Sequence, residues 1–273
     1  MTKVRLLAIL AAAPLLLPAL ARAQASDQRW ITDCRENNDR DDDHHRSTSC
    51  SVRVFELSAR KSLSINAGMN GGVEVQAWDE PGIEVHARIQ AWDESMSEAR
   101  ELADRIEIDS TGAALGATGP SMRDRSWSVS FLVMVPRRMD IEATAHNGPV
   151  SVQDVTGTMN LSVVNGPLGL SGLGGDVHAR AENGPLSVEL SGTRWDGAGL
   201  DAETRNGPLS IQIPRDYSAE LETGTVNGPL DVNFPLTVTL QGRAPQRIHT
   251  TLGHGGAPVR AVTTNGPASI GRP

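Results

Sequence analysis

A chain of 273 residues with a formal charge of −8 and only 3% aromatic residues must fold without a core of large rings. Its acidity argues against binding nucleic acid or anionic lipid by bulk charge, while leaving room for divalent cations or basic partners. After residue 25 no stretch is apolar enough to span a bilayer.

Residues 1–25 have the pattern of a secretory signal peptide. Lys3 and Arg5 precede an apolar run from Leu6 to Leu20, interrupted by Pro14 and Pro18. Ala21-Arg22-Ala23 and Ala23-Gln24-Ala25 are both small-residue cleavage sites. The expectation is a secreted or periplasmic protein beginning near Gln24 or Ser26, with no cysteine after the cut to carry a bacterial lipid anchor. Loss of Lys3, Arg5 and Arg22 takes the formal charge from −8 to −11. Residues 26–50 read as polar and largely irregular. Cys34 and Cys50 are expected to pair in an oxidising compartment; closing a loop of about 15 residues is worth roughly 3 kcal/mol by chain entropy. Within that loop, Asp39, Asp41, Asp43, His44 and His45 offer the oxygen and nitrogen ligands of a weak metal site. No Gly at the sixth position or Glu at the twelfth makes it an EF-hand, and a solvated charge run is the competing reading.

Residues 51–135 alternate as strands. Val52, Val54, Phe55 and Leu57 come first, then Leu63 and Ile65. A turn at Asn70-Gly71-Gly72 leads into Val73, Val75 and Ala77, and Pro81-Gly82 turns into Ile83, Val85, Ala87 and Ile89. The period then changes to three and four at Met96, Ala99, Leu102, Ala103 and Ile106, which predicts one amphipathic helix over 94–106. A loop to Arg125 comes next, then a long strand through Trp127, Val129, Phe131, Val133 and Val135 to Pro136. This block is expected to cap the N-terminal end of the repeat region, with Trp78, Trp92 and Trp127 packed inside it.

Residues 136–273 repeat. The tripeptide occurs as Asn147-Gly148-Pro149, Asn165-Gly166-Pro167, Asn183-Gly184-Pro185, Asn206-Gly207-Pro208, Asn227-Gly228-Pro229 and Asn265-Gly266-Pro267, at gaps of 18, 18, 23, 21 and 38. Two, four and six residues before each Asn the positions are apolar or Thr, as at Ala181, Ala179 and Val177; three and five after it they are aliphatic, as at Leu186 and Val188. Period two on both sides is the signature of half-buried strands. The tripeptide is a corner: Asn and Gly tolerate unusual backbone, and Pro prevents helix. One such pair cannot bury its apolar face, so neighbours about 4.8 Å apart must stack to share a core. The expected fold is all-β, a β-solenoid or β-helix-like stack of cornered strand pairs with a cap of strands and one helix. An ordinary sandwich with Asn-Gly hairpins is the alternative. The long last gap, near twice 19, suggests a unit whose corner has degenerated to Gly253-His254-Gly255-Gly256.

The order of elements over residues 51–271 resembles a bacterial secreted β-strand-repeat family labelled "putative adhesin", a domain of unknown function. The shared features are an early Asn-Gly-Gly strand pair, a helix rich in Glu, Ala and Arg, a strand ending in Val135-Pro136, Asn-Gly corners at 18 to 21 residues, and the closing stretch from Gly253 to Gly266. Pro after nearly every Asn-Gly departs from the expected Asp or Lys. The resemblance implies an envelope or extracellular β-solenoid and supplies no catalytic residues.

Ser151, Ser187, Ser210 and Ser269 share one outward position, completed by Gly169 and Asp231. They make either a plain solvent-facing ladder or a hydroxyl strip for a repetitive polymer such as a glycan. Trp195 is the one candidate for sugar stacking. Glu182, Glu189, Asp201 and Glu203 keep a polysaccharide-processing enzyme open as an alternative, as is an envelope-stress accessory protein. The favoured reading is a non-catalytic, adhesin-like binding scaffold of the cell envelope. It needs no cofactor, and its partner is a glycan or an envelope protein.

Overall fold

The computed structural model describes residues 19–40, 47–120, 126–233 and 246–273. Helix α1 (Ala19–Arg40) comes first. Strands β1 (Ser47–Leu57), β2 (Ser62–Asn66), β3 (Val73–Trp78) and β4 (Ile83–Asp93) follow, then helix α2 (Met96–Asp104). Next are β5 (Glu107–Asp109), β6 (Ala114–Thr118) and β7 (Ser126–Pro136). The repeat region supplies β8 (Asp140–Asn147), β9 (Val150–Gln153), β10 (Thr156–Asn165), β11 (Leu168–Ser171), β12 (Gly174–Asn183) and β13 (Leu186–Glu189). It continues with β14 (Gly199–Asn206), β15 (Leu209–Gln212), β16 (Ala219–Asn227), β17 (Leu230–Val232), β18 (Arg247–Leu252), β19 (Pro258–Asn265) and β20 (Ala268–Gly271).

These strands form two ten-stranded mixed sheets. The first runs β1-β4-β7-β3-β9-β11-β13-β15-β20-β17 and the second β18-β16-β19-β14-β12-β10-β8-β2-β6-β5. Each strand before a corner lies in the second sheet and each strand after it in the first. Neighbouring copies pair in parallel and in register. Val150, Leu168, Leu186, Leu209 and Ala268 are successive partners in the first sheet. Ile141, Met159, Val177, Leu200 and Val259 are successive partners in the second. All ten are buried in one core. A period of two puts alternate side chains inside, and equal registers stack them in columns, so small aliphatic residues fill the space that aromatics fill elsewhere.

Stacking order departs from chain order at both ends. The Asn265 pair, β19/β20, sits between the Asn206 and Asn227 pairs. At the other end β2/β3 sits between β6/β7 and β8/β9. Both exchanges draw on the same property: inner residues of different copies are alike enough that either neighbour fits. The stretch Gly253–Gly256 is therefore not a degenerate corner. It joins β18 to β19 within the second sheet, across β16, and β18 is an antiparallel edge strand.

The corners themselves form a column. The Nδ2 amide of each Asn donates to the Oδ1 of the next, from Asn227 to Asn265, Asn206, Asn183, Asn165, Asn147 and finally Asn70, at 2.9–3.1 Å. Gly166 N–H donates to Asn183 O and Gly184 N–H to Asn206 O, both at 2.9 Å. The inward threonines nearest the corners are satisfied here as well: Thr204, Thr225 and Thr263 hydroxyls each donate to a corner glycine carbonyl at 2.8 Å, whereas the buried Thr223 hydroxyl, one step further in, finds no partner among the described residues. A buried hydroxyl with a partner escapes the desolvation cost that an unpaired one carries.

The two helices cover opposite faces. Ser95 caps α2, accepting from Glu98 N–H at 3.3 Å while its hydroxyl donates to Glu98 Oε2 at 2.7 Å. Arg53 closes the other end by donating to Ala103 O and Ile106 O at 2.8 and 2.5 Å. The helix is accordingly shorter than 94–106. Its Ala99, Leu102 and Ala103 are buried; Leu102 and Ala103 join the main core. The described residues of 26–50 are not irregular, which corrects the sequence reading. α1 runs to Arg40 and β1 begins at Ser47, four residues before Ser51. The buried stripe of α1 includes Ala23, Asp27 and Cys34; a carboxylate in the middle of that stripe disguised it as a polar segment. Ala23 packs with Trp78, Leu132 and Met134 on the outer face of the first sheet. β4 and β7 are therefore buried on both faces.

Candidate functional site

Away from α1, the outer face of the first sheet is a regular polar surface. In-register pairing places Glu74, Ser151, Gly169, Ser187, Ser210, Ser269 and Asp231 in one row. A second row holds Gln76, Gln153, Ser171, Glu189, Gln212 and Gly271. Parallel strands about 4.8 Å apart set the spacing along each row. A shallow groove of about 170 Å³ runs between Glu74, Gln76, Ser151, Ser171, Ser187 and Glu189. Within it Ser171 donates to Glu189 at 3.3 Å and Gln76 to Glu74 at 2.7 Å. Gly169 removes a side chain from the middle of the serine row and deepens the surface there.

The outer face of the second sheet is ionic instead. Arg260 donates to Asp201 at 2.5 Å and Glu203 at 3.3 Å, and Arg180 to Glu203 at 2.8 Å. Arg205 reaches Glu182 at 3.5 Å. The carboxylates that left an enzyme open are thus split between ion pairs on this face and, for Glu189, the serine strip on the other.

Beneath α1 lies a buried polar cluster that the sequence did not disclose. His86 is only 1% exposed, with Nδ1 bonded to Asp27 and Nε2 2.7 Å from Glu84. Arg88 donates to the other Asp27 oxygen at 2.9 Å and to Ser26 at 2.7 Å. Burial pulls the His86 pKa down, but bonds and charges from Asp27 and Glu84 outweigh it, and the pKa lies above the ordinary 6.5. Burial raises the Asp27 pKa, but His86 and Arg88 outweigh it, and the pKa falls below 3.8. The His86 contribution is complete below 6.5 and is lost as pH rises through its raised value. The Asp27 contribution is complete above 3.8 and is lost as pH falls through its lowered value. Docking of α1 should therefore be firmest between these limits. We expect His86→Gln to remove the alkaline limb of a plot of thermal midpoint against pH. Asp27→Asn should cost about 3 kcal/mol by stranding part of a buried charge cluster. A wild-type midpoint flat from pH 4 to 9 would refute this role.

The remaining sequence candidates fall in several places. Cys34 and Cys50 form a disulfide that ties α1 to β1. Asp41, Asp43, His44 and His45 lie outside the described residues, as does the side chain of Asp39 at the end of α1; the weak metal site is therefore not located. Among the described residues no group of three His, Cys, Asp or Glu side chains is placed to hold a metal. Trp195 is no stacking platform: it is 6% exposed, and its Nε1 donates to Gly175 O at 2.9 Å. Its long connection folds it into the core. Asn70, expected only at a turn, stands in the corner column; the Asn-Gly of its Asn-Gly-Gly was the available signal. No described helix is long and apolar enough to cross a membrane.

No protein-family model and no curated protein matches the chain. Solved structures do. A "putative cell adhesion protein" from Clostridium sporogenes is 10% identical, over 83% of this chain and the whole of that one, with a TM-score of 0.46. A "putative adhesin" from Bacteroides fragilis is 10% identical over 82% of this chain and 97% of its own, at 0.30. A "putative lipid binding protein" from Parabacteroides distasonis is 9% identical over 81% and 96%, at 0.29. The second of these names is also the label of the family that the sequence resembles.

Proposed function

We propose that the protein is a secreted or periplasmic, adhesin-like binding scaffold of the cell envelope, built as a β-solenoid. Its strand-and-helix block, residues 51–135, serves as the cap and residues 136–273 as the repeat body. It holds a repetitive polymer, a glycan before an envelope protein, on the serine and glutamine strip, and it performs no catalysis. The observation that carries this reading is the strip itself: hydroxyl, amide and carboxyl groups repeat in two rows at strand spacing along one sheet. A recurring ligand meets the same donors and acceptors at each step, and many weak contacts add by effective concentration. The disulfide fits an oxidising compartment.

The test is binding of the purified mature protein to immobilised bacterial and host polysaccharides, with product release followed in parallel. Retention of at least one polysaccharide, without products, is expected. Ser187→Arg, which places a bulky charge in the middle of the strip, should weaken retention about tenfold or more, the loss of one to two polar contacts. Its thermal midpoint should stay unchanged, since Ser187 is exposed. Release of oligosaccharides would favour the polysaccharide-processing alternative. Capture of an inner-membrane protein, with no polysaccharide bound, would favour the envelope-stress accessory role.

A further inference from the structure

We infer that Asn227-Gly228 is a site of spontaneous covalent modification, in which the asparagine becomes aspartate or isoaspartate, and that the column shields the other five Asn-Gly-Pro corners from the same reaction. The chemistry needs only water and is independent of any ligand. The backbone nitrogen of the glycine attacks Cγ of the preceding asparagine, and its proton passes to solvent. A Cγ–N bond forms, the Cγ–Nδ2 bond breaks, and the leaving nitrogen takes up a proton and departs as ammonia. Water then opens the succinimide ring at either carbonyl, leaving a carboxylate on an ordinary or a lengthened backbone. Glycine has no Cβ to obstruct the attack.

The six Asn-Gly-Pro tripeptides are identical in sequence, so a difference in their rates comes from the fold. In five of them the attacking nitrogen is engaged. Gly148 N–H donates to Asn165 O at 3.0 Å. Gly166, Gly184 and Gly207 N–H donate to Asn183, Asn206 and Asn265 O, each at 2.9 Å, and Gly266 N–H donates to Asn227 O at 3.1 Å. Each of these glycines is thus held by the asparagine carbonyl of the next corner. The side chains of their asparagines are held from both sides, Oδ1 accepting from the next amide and Nδ2 donating to the previous one, so Cγ cannot swing towards the nitrogen. Asn227 stands at the end of this pattern. The seventh Asn-Gly of the chain, Asn70-Gly71, closes the opposite end, and the sequence holds no eighth to stack beyond Asn227. Gly228 therefore has no further asparagine carbonyl to donate to, and Asn227 Oδ1 receives no corner amide. Gln246 does lie against this corner, but its Nε2 donates to the Gly228 carbonyl at 3.3 Å and so occupies the oxygen. Asn227 is exposed and Gly228 half-buried, which admits water. The product also loosens the end of the column: Asn227 Nδ2 donates to Asn265 Oδ1 at 2.9 Å, and a carboxylate in its place sets two acceptors against each other.

The experiment stores the folded wild-type protein at pH 8 and 37 °C for several weeks, beside a reduced sample unfolded in guanidinium chloride. Digestion and peptide mass spectrometry then read the six Asn-Gly-Pro corners separately. In the unfolded sample all six should convert at similar rates, since their local sequence is the same. In the folded protein Asn227 should convert, while Asn147, Asn165, Asn183, Asn206 and Asn265 lag behind it by about tenfold or more. Freeing their glycine nitrogens requires a local opening that breaks hydrogen bonds on both sides of the corner. Conversion of those five at the rate of Asn227 would overturn the inference, and so would an Asn227 that lags with them.

Discussion

Leu186→Asp is expected to unfold the repeat body or to lower its stability by about 5 kcal/mol or more at pH 7. Leu186 is 1% exposed, between Leu168 and Leu209 in the core column. Losing its burial costs about 2 kcal/mol. A carboxylate at that depth has no cationic partner in the column, so it must take up a proton, and holding it neutral at pH 7 costs several kcal/mol more. The total rivals the whole stability of an ordinary domain, about 5–15 kcal/mol. The sign of the pH effect is then fixed. The folded-state pKa of the new Asp is raised, so the penalty shrinks as pH falls from that raised value towards the ordinary carboxylate pKa of about 3.9, and is flat below it. Circular-dichroism melts at pH 7 and pH 4 would read both effects. An unchanged midpoint at pH 7 would mean that the column does not face a dry interior.

Gly184→Ala should be comparably damaging, for a reason that has nothing to do with hydrophobicity. A Cβ at residue 184 would stand 2.0 Å from the Gly166 carbonyl oxygen, a backbone atom of the neighbouring corner that cannot rotate away. Relief requires the strands to separate, which breaks the Gly166-to-Asn183 hydrogen bond and disturbs the amide column on both sides. A cost of about 3 kcal/mol or more is expected from the overlap and the lost bonds together. The same substitution at Gly82 meets nothing within 4 Å. There it should be neutral, or stabilising by about 0.5 kcal/mol through the unfolded chain. Equal midpoints for the two variants would remove the steric basis of the corner column.

The legible part of the fold reflects how a repeat encodes structure. Period two around each Asn-Gly-Pro specifies which side chains face inward, because strand geometry leaves only two faces to choose between. The burial of Leu168, Leu186 and Leu209, the inward threonines and the outward serine row were all legible for this reason. The enzyme question was not: Asp201 and Glu203 are ion-paired to Arg260, a residue 57 to 59 positions away. α1 was illegible for a related reason. Asp27 looks like a solvent residue until His86 and Arg88, 59 and 61 positions on, are brought beneath it. Asn70, the last acceptor of the amide column, carried the corner dipeptide but not the proline that marks the other six.

By itself, then, the amino-acid order determined the unit, its corner, its inner and outer faces, and a pair of cysteines within bonding reach. Only the folded chain decided which unit lies beside which. Copies with nearly identical inner residues pair equally well with any neighbour, so local pattern holds no record of adjacency. The connections settle it: the link from β18 to β19 passes across β16 and delivers the Asn265 unit between two earlier ones, and β2/β3 slips inside β6/β7 at the other end. The amide column and its direction are consequences of that assembly.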